Sequence, residues 1–271
     1  MPLAPWLLDP SLVYVALAGG LYALGSRGRG RPRPREALAF YASLLVIVIA
    51  LCSPIDYFAD ELFWVHMLQH ILLLSVAPPL MLLGKPWPRM WRALPLAPRT
   101  KLARTIVRSP GVAPVRALAR PIPAWILFNV TFLGWHIPAA YNLTLTSGAV
   151  HAVEHAMFFF TGLLFWARVI DPGPLRPRLL WPVRIAYAAS TMVVGWLLAI
   201  TLVIVPHPVY GYYSALLTRP GGISALTDQQ LAAGMMWVPG SLAYTITFIL
   251  GFYRWLEPDR APSPTPAAFT T

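Results

Sequence analysis

The stretch ELFWVHMLQHILLLSVAPPLMLLG, Glu61–Gly84, contains no Lys or Arg, and its only acid is its first residue. A helix needs roughly 17 to 25 mostly apolar residues to cross a bilayer, so this run predicts a transmembrane span. Within it His66 and His70 stand four residues apart, together with Gln69. Four residues turn a helix only about 40° past a full circle, so the three polar groups share one face. A polar stripe in a span turns toward the interior of a bundle, where ionisable groups serve function.

Outward from this run, six more segments have the length and character of spans, at about 6–25, 37–54, 121–141, 149–170, 183–205 and 231–254. With 62–84 they predict an all-α, polytopic membrane helix bundle of seven transmembrane helices. It forms a single domain over 1–256, followed by a disordered, Pro-rich tail at 257–271. The composition agrees: 57% of the 271 residues are hydrophobic and 11% charged, against about 25% charged in soluble domains. The single cysteine, Cys52, excludes an internal disulfide framework and a CxxC site. The N-terminus lacks a basic n-region and a small-x-small cleavage site, which predicts a retained first helix and not a signal peptide.

The gaps carry the turn chemistry of Gly and Pro in RGRGRPRPR, KPWPRMWRALPLAPR, DPGPLRPR and PHPVYGYY, and they set the orientation. Of the 21 Lys and Arg, all but Arg219 fall in the first, third and fifth gaps or the C-terminal segment. Basic gaps stay in the cytoplasm, so the N-terminus is expected outside and the C-terminus inside. The net charge of +11 therefore reads as membrane topology with attraction to anionic lipid, and no nucleic-acid partner is expected. The long third gap, with nine basic residues, also leaves room for a docking role.

With that topology the six histidines share one outer layer. His66 and His70 open the third span, and His136 closes the fourth in FLGWHIPAAY. His151 and His155 open the fifth, again four apart and flanking Glu154 in HAVEH. His207 lies at the outer boundary between prolines in VIVPHP and is the least committed of the six. The same layer holds Met67, Met157, Cys52, Asp228, Met235 and Met236, and six acids against one base. Such a layer favours a cation. Imidazole suits copper, zinc, iron and nickel, and thioether shifts the preference toward Cu(I). The expected metal ligands are His66, His70, His136, His151 and His155, with Gln69, Glu154, Asp228 and Met235 as outer partners or alternative ligands.

Several motifs admit two readings. HAVEH matches the inverted zincin pattern H-x-x-E-H, in which the acid is a general base, but Glu154 can equally fix a histidine tautomer. Pro78 and Pro79 predict a kink below the first His pair, or a gating element. Asp228, opening DQQLAAGMMWVPG at Asp228–Gly240, is either the N-cap of its own helix or a group near the metal. Pro239 and Gly240 predict a bend. Trp64, Trp135, Trp237, Tyr141 and Tyr244 read as interface anchors or packing.

Three blocks, HMLQHILLLSVAPPLMLLGKP, WHIPAAYNLTLTSGAVHAVEHAMFFFTGLLFW and DQQLAAGMMWVPG, resemble those of the multi-helix CtaG family of caa3-type cytochrome c oxidase assembly factors. They occur in order across roughly residues 40 to 255. The resemblance implies a multi-pass protein of the bacterial inner membrane that serves a haem–copper oxidase and supplies it with copper. It carries over to His66, His70, His136, His151, His155, Glu154 and Asp228, whereas His207 lies in no matching block. The expected partners are an oxidase subunit, a periplasmic copper carrier and the lipid bilayer. A haem-binding redox protein, with two facing histidines as axial ligands, and a metal-free assembly scaffold are the alternatives to this non-enzymatic role.

Overall fold

The computed structural model describes residues 9–28, 31–170 and 179–257. Among them the regular structure is helical, with no strand. The chain runs through α1 (Ser11–Gly25), α2 (Pro34–Cys52), α3 (Pro54–Ala59) and α4 (Phe63–Ile71). A π turn, Leu72–Val76, joins α4 to α5 (Ala77–Leu83). Then come α6 (Pro86–Ala93), α7 (Leu96–Arg108), α8 (Val112–Leu118), α9 (Pro121–Trp135), α10 (Pro138–Thr146) and α11 (Gly148–Ile170). The last are α12 (Trp181–Ile204), α13 (Gly211–Ala215), α14 (Ala225–Trp237) and α15 (Leu242–Leu256). Proline stands in the first turn of α2, α3, α5, α6, α9, α10 and α12. Except in α5, which continues an existing helix, its missing N–H is harmless there because no intrahelical acceptor awaits it.

Five segments are long and apolar enough to cross a membrane: Pro34–Cys52, Phe63–Leu83, Gly148–Ile170, Trp181–Ile204 and Ala225–Leu256. A sixth arises if α8 and α9, bent by 79°, count as one. The helices fit a membrane protein. α1 is apolar but has 15 residues, and the start of the expected 6–25 span lies outside the described residues, as does tail 258–271.

Three expectations are corrected. The fourth span does not run to 141: α9 ends at Trp135, and α10 restarts at Pro138, which lacks the donor to continue a helix. The seventh begins earlier, at Ala225, and is bent at the 3₁₀ turn Pro239–Ser241, where Pro239 and Gly240 predicted a bend. The third gap, read as turns, is largely helical. None of α7 is buried, and its apolar Leu96, Leu102, Ile106 and Val107 and its basic residues are all at the surface.

The span Phe63–Leu83 is the most buried of the five, at 61%, and the others are arranged around it. α2 packs on α5, α11 packs on the π turn and α5, and α14 packs on α4. α12 lies against α14 and α15, while α9 covers α11. The expected break occurs as a π turn, in which Ala77 N–H donates to the Leu72 carbonyl. The wider turn accommodates Pro78 and Pro79, whose rings would press on the preceding carbonyls. The Leu74 carbonyl, four residues before Pro78, has lost its helical donor; the Trp166 indole N–H supplies one at 3.0 Å. Ser43 Oγ donates to the Ala77 carbonyl at 2.7 Å. α11 comes this close because residue 162 is Gly: a Cβ there would lie 2.9 Å from the Leu74 carbonyl oxygen and from Pro78 Cγ. The other end of the span is closed by Arg89, which donates to the Gly84 and Lys85 carbonyls at 2.9 Å and pairs with Glu36.

Candidate metal centre

α4 carries His66 and His70, and its start is held from another helix. The Asp228 carboxylate accepts from Phe63 N–H at 2.9 Å and Trp64 N–H at 3.0 Å. These are first-turn donors that helix geometry leaves free. Asp228 does not cap α14; Ser224 does, accepting from Thr227 N–H at 3.0 Å. The buried Asp228 is thus a cap in trans, tying the start of α14 to the His-bearing turn of α4.

Hydrogen bonding fixes the His66 tautomer. Tyr213, on α13, gives its one hydroxyl proton to the Ala59 carbonyl at 2.5 Å. Its oxygen can then only accept, so His66 Nδ1, 3.1 Å away, carries the hydrogen. That leaves the Nε2 lone pair of His66 facing Glu154 Oε2 at 3.7 Å, with His70 Nε2 at 3.6 Å from the same oxygen. His66 and Glu154 are fully buried. Neither Glu154 oxygen has a hydrogen-bond partner; nor do His66 Nε2, His155 Nε2 or either ring nitrogen of His70.

A buried carboxylate without donors is strongly unfavourable unless a cation or its own proton compensates it. The lone pair that His66 turns toward it adds nothing favourable on its own. His66, His70, Glu154 and His155 each offer one ligand atom, and these atoms all lie within 4.8 Å of one another. Three imidazole nitrogens and one carboxylate oxygen form a donor set suited to copper, zinc or iron. His151 lies at the rim, its ring centroid 4.1 Å from His155 and 5.0 Å from His66, and its Nε2 is also unpartnered. In the inverted zincin pattern both histidines bind and the acid stands apart; here Glu154 groups with His155 while His151 lies outside.

The remaining expected residues are distributed around this centre. His136 is the C-cap of α9, with its ring 5.9 Å from that of His70; it contacts Met67, not the carboxylate. The Gln69 amide turns away to α2 and α3, donating to the Ala50 carbonyl at 2.8 Å and to Asp56 at 2.7 Å. Burial pushes the Asp56 carboxyl up to about 6. Met235 packs into the apolar cluster around Phe63, while Met236 reaches a cavity beside His70 and His136. His207 is exposed, and its carbonyl accepts from Gln229 at 3.3 Å. Cys52 is buried near Ser11, outside the group.

Sequence reasoning missed Tyr213, and with Tyr210 and Tyr141 it roofs the centre. Tyr210 donates to the His136 carbonyl at 3.0 Å. The loop PHPVYGYY read only as turn chemistry; its unusual density of tyrosine was the available signal.

Residues 13–258 match the family described as cytochrome c oxidase caa3 assembly factor (Caa3_CtaG). The chain belongs to this family. All residues of the centre, from His66 to Asp228, fall inside the matched region. It is similar to uncharacterized proteins of Mycobacterium bovis and Mycobacterium tuberculosis, at 26% identity over 91% of the chain and 38% of each relative. An uncharacterized protein of Mycobacterium leprae is 23% identical over 94% of the chain and 40% of its own length. The chain thus spans about two fifths of the length of these relatives. No solved structure matches it.

Proposed function

We propose that the protein is a non-enzymatic membrane assembly factor that binds copper and delivers it to a haem–copper oxidase. His66, His70, Glu154 and His155 hold the ion, and His151 exchanges it at the rim. The carrying observation is Glu154, a carboxylate buried among apolar helices with neither oxygen hydrogen-bonded and two imidazole nitrogens 3.6 and 3.7 Å away. Nothing in that arrangement balances its charge except a bound cation or a proton. Family membership supports the oxidase as recipient. The distribution of Lys and Arg supports seven spans in a bacterial inner membrane, with the N-terminus outside. The centre then lies in the outer half of the bilayer, within reach of a periplasmic copper carrier. Transfer proceeds by ligand exchange, one imidazole at a time, and changes no oxidation state.

The test is an anaerobic Cu(I) titration of detergent-purified protein against a chromogenic chelator, alongside the His66→Ala/His155→Ala variant. A stoichiometric equivalent of Cu(I) that the wild type binds and the variant does not supports the copper centre; no competition for copper by the wild type overturns it. The starting visible spectrum separates the haem alternative, which requires a Soret band. In cells, the same variant should insert normally and lower the copper content of the oxidase. Unchanged oxidase copper would leave only the scaffold role.

A further inference from the structure

His136 and Met67 meet in a way that hydrogen bonding does not explain. His136 Nδ1 lies 2.7 Å from the Phe132 carbonyl oxygen, which can only accept, so Nδ1 carries the hydrogen. In the neutral ring Nε2 is then a bare lone pair. It points at Met67 Sδ, 3.4 Å away. A thioether sulfur is also only an acceptor. Two lone pairs therefore face one another with no proton between them, on side chains 5% and 1% exposed. Metal–imidazole and metal–sulfur bonds are about 2.0 and 2.3 Å long. At the observed N···S separation a shared ion would subtend about 105°, close to a tetrahedral angle.

The pair adjoins the centre described above. Met67 and His136 line an apolar cavity together with His70, Met192 and Met236. His70 belongs to both: its Nε2 faces Glu154, and both of its ring nitrogens lack a partner. The two donor sets differ in kind. The first contains an anion and three imidazoles and holds either charge state of copper. The second contains imidazole and thioether and no anion, which favours a soft monovalent ion.

We infer that His136 and Met67 form a second copper station, selective for Cu(I), which exchanges an ion with the first centre through His70. The inference rests on the copper reading of that centre. With His70 retained, the exchange replaces the Glu154 oxygen and the His66 and His155 nitrogens by the His136 nitrogen and the Met67 sulfur, and no electron is transferred.

X-ray absorption at the copper edge tests this on detergent-purified protein loaded anaerobically with one and two equivalents of Cu(I). The wild type should show a sulfur neighbour at about 2.3 Å. Met67→Leu, which keeps the volume, should lose that sulfur shell yet still bind one equivalent with nitrogen and oxygen neighbours. His66→Ala/His155→Ala should keep the sulfur-bound equivalent. Copper bound by the wild type with only nitrogen and oxygen neighbours at both loadings overturns the second station and leaves the first intact. A sulfur shell that survives Met67→Leu also overturns it. Failure of the wild type to bind any copper overturns both.

Discussion

The seam between the central span and α11 is built differently at the π turn and before it. At the turn, the Leu74 carbonyl that Pro78 leaves without a helical donor finds a partner on α11: the Trp166 indole N–H donates to it. Before it, His66 Nε2, His70, His155 Nε2 and both Glu154 oxygens are buried without partners. The same two helices and the same apolar surroundings produce both halves. Along this seam the chain satisfies the polar group freed by the break, while the unpartnered imidazole and carboxylate atoms lie before it, at the proposed cation site. The proposed site rests on orphaned atoms that converge from two helices, and not on polarity in a span by itself.

The largest effect that would break this contrast is at Glu154. Glu154→Gln should weaken Cu(I) binding by at least about 100-fold, more than the loss on removing an outer partner of a ligand. Without metal the same variant should melt no lower than the wild type, because an uncompensated buried carboxylate has gone. A lower melting temperature in the metal-free variant would mean that Glu154 is structural, like Trp166 at the π turn.

Trp166→Phe probes the satisfied side. It leaves the Leu74 carbonyl without a donor and should destabilise the protein by about 1–3 kcal/mol. Copper stoichiometry should not change. Loss of copper with unchanged thermal stability would erase the division between the halves.

Tyr213→Phe sharpens the contrast from outside the seam. It removes the acceptor that holds the His66 hydrogen on Nδ1 and should lower Cu(I) affinity about tenfold. His66→Ala in the same background should then add less than it does in the wild type, since both act on one ligand atom.

The smallest effect belongs to Asp56, behind Gln69. Its folded carboxyl is raised from 3.8 to about 6, so the folded state holds this proton more tightly than the unfolded chain. The stabilisation is complete below the unfolded value and is lost as pH rises through about 6. Asp56→Asn should flatten thermal stability against pH over this window, and an unchanged slope would place the titration elsewhere.

Much of the centre was legible one helix at a time. His66 with His70, and His151 with Glu154 and His155, follow from a four-residue spacing, and Pro78 and Pro79 announced the break below them. These are local properties, set by 3.6 residues per turn and by a missing N–H, and any sequence reading has access to them. The helices within 86–120 were missed because they are amphipathic surface elements among prolines, without the long apolar run that marks a span.

What joins two helices was not available in that way. Asp228 proved to cap α4 across 165 positions of chain, and Tyr213 to set the tautomer of His66 from 147 positions away. His136, grouped by depth with the other histidines, meets Met67 instead, and of two adjacent methionines Met236 and not Met235 reaches the cavity. The sequence by itself determined which residue types occupy the layer and which face of each helix bears them, because both depend only on helical period and apolar length. Only the tertiary structure decided which lone pairs confront one another, because that depends on how helices cross and rotate, and packing fixes both.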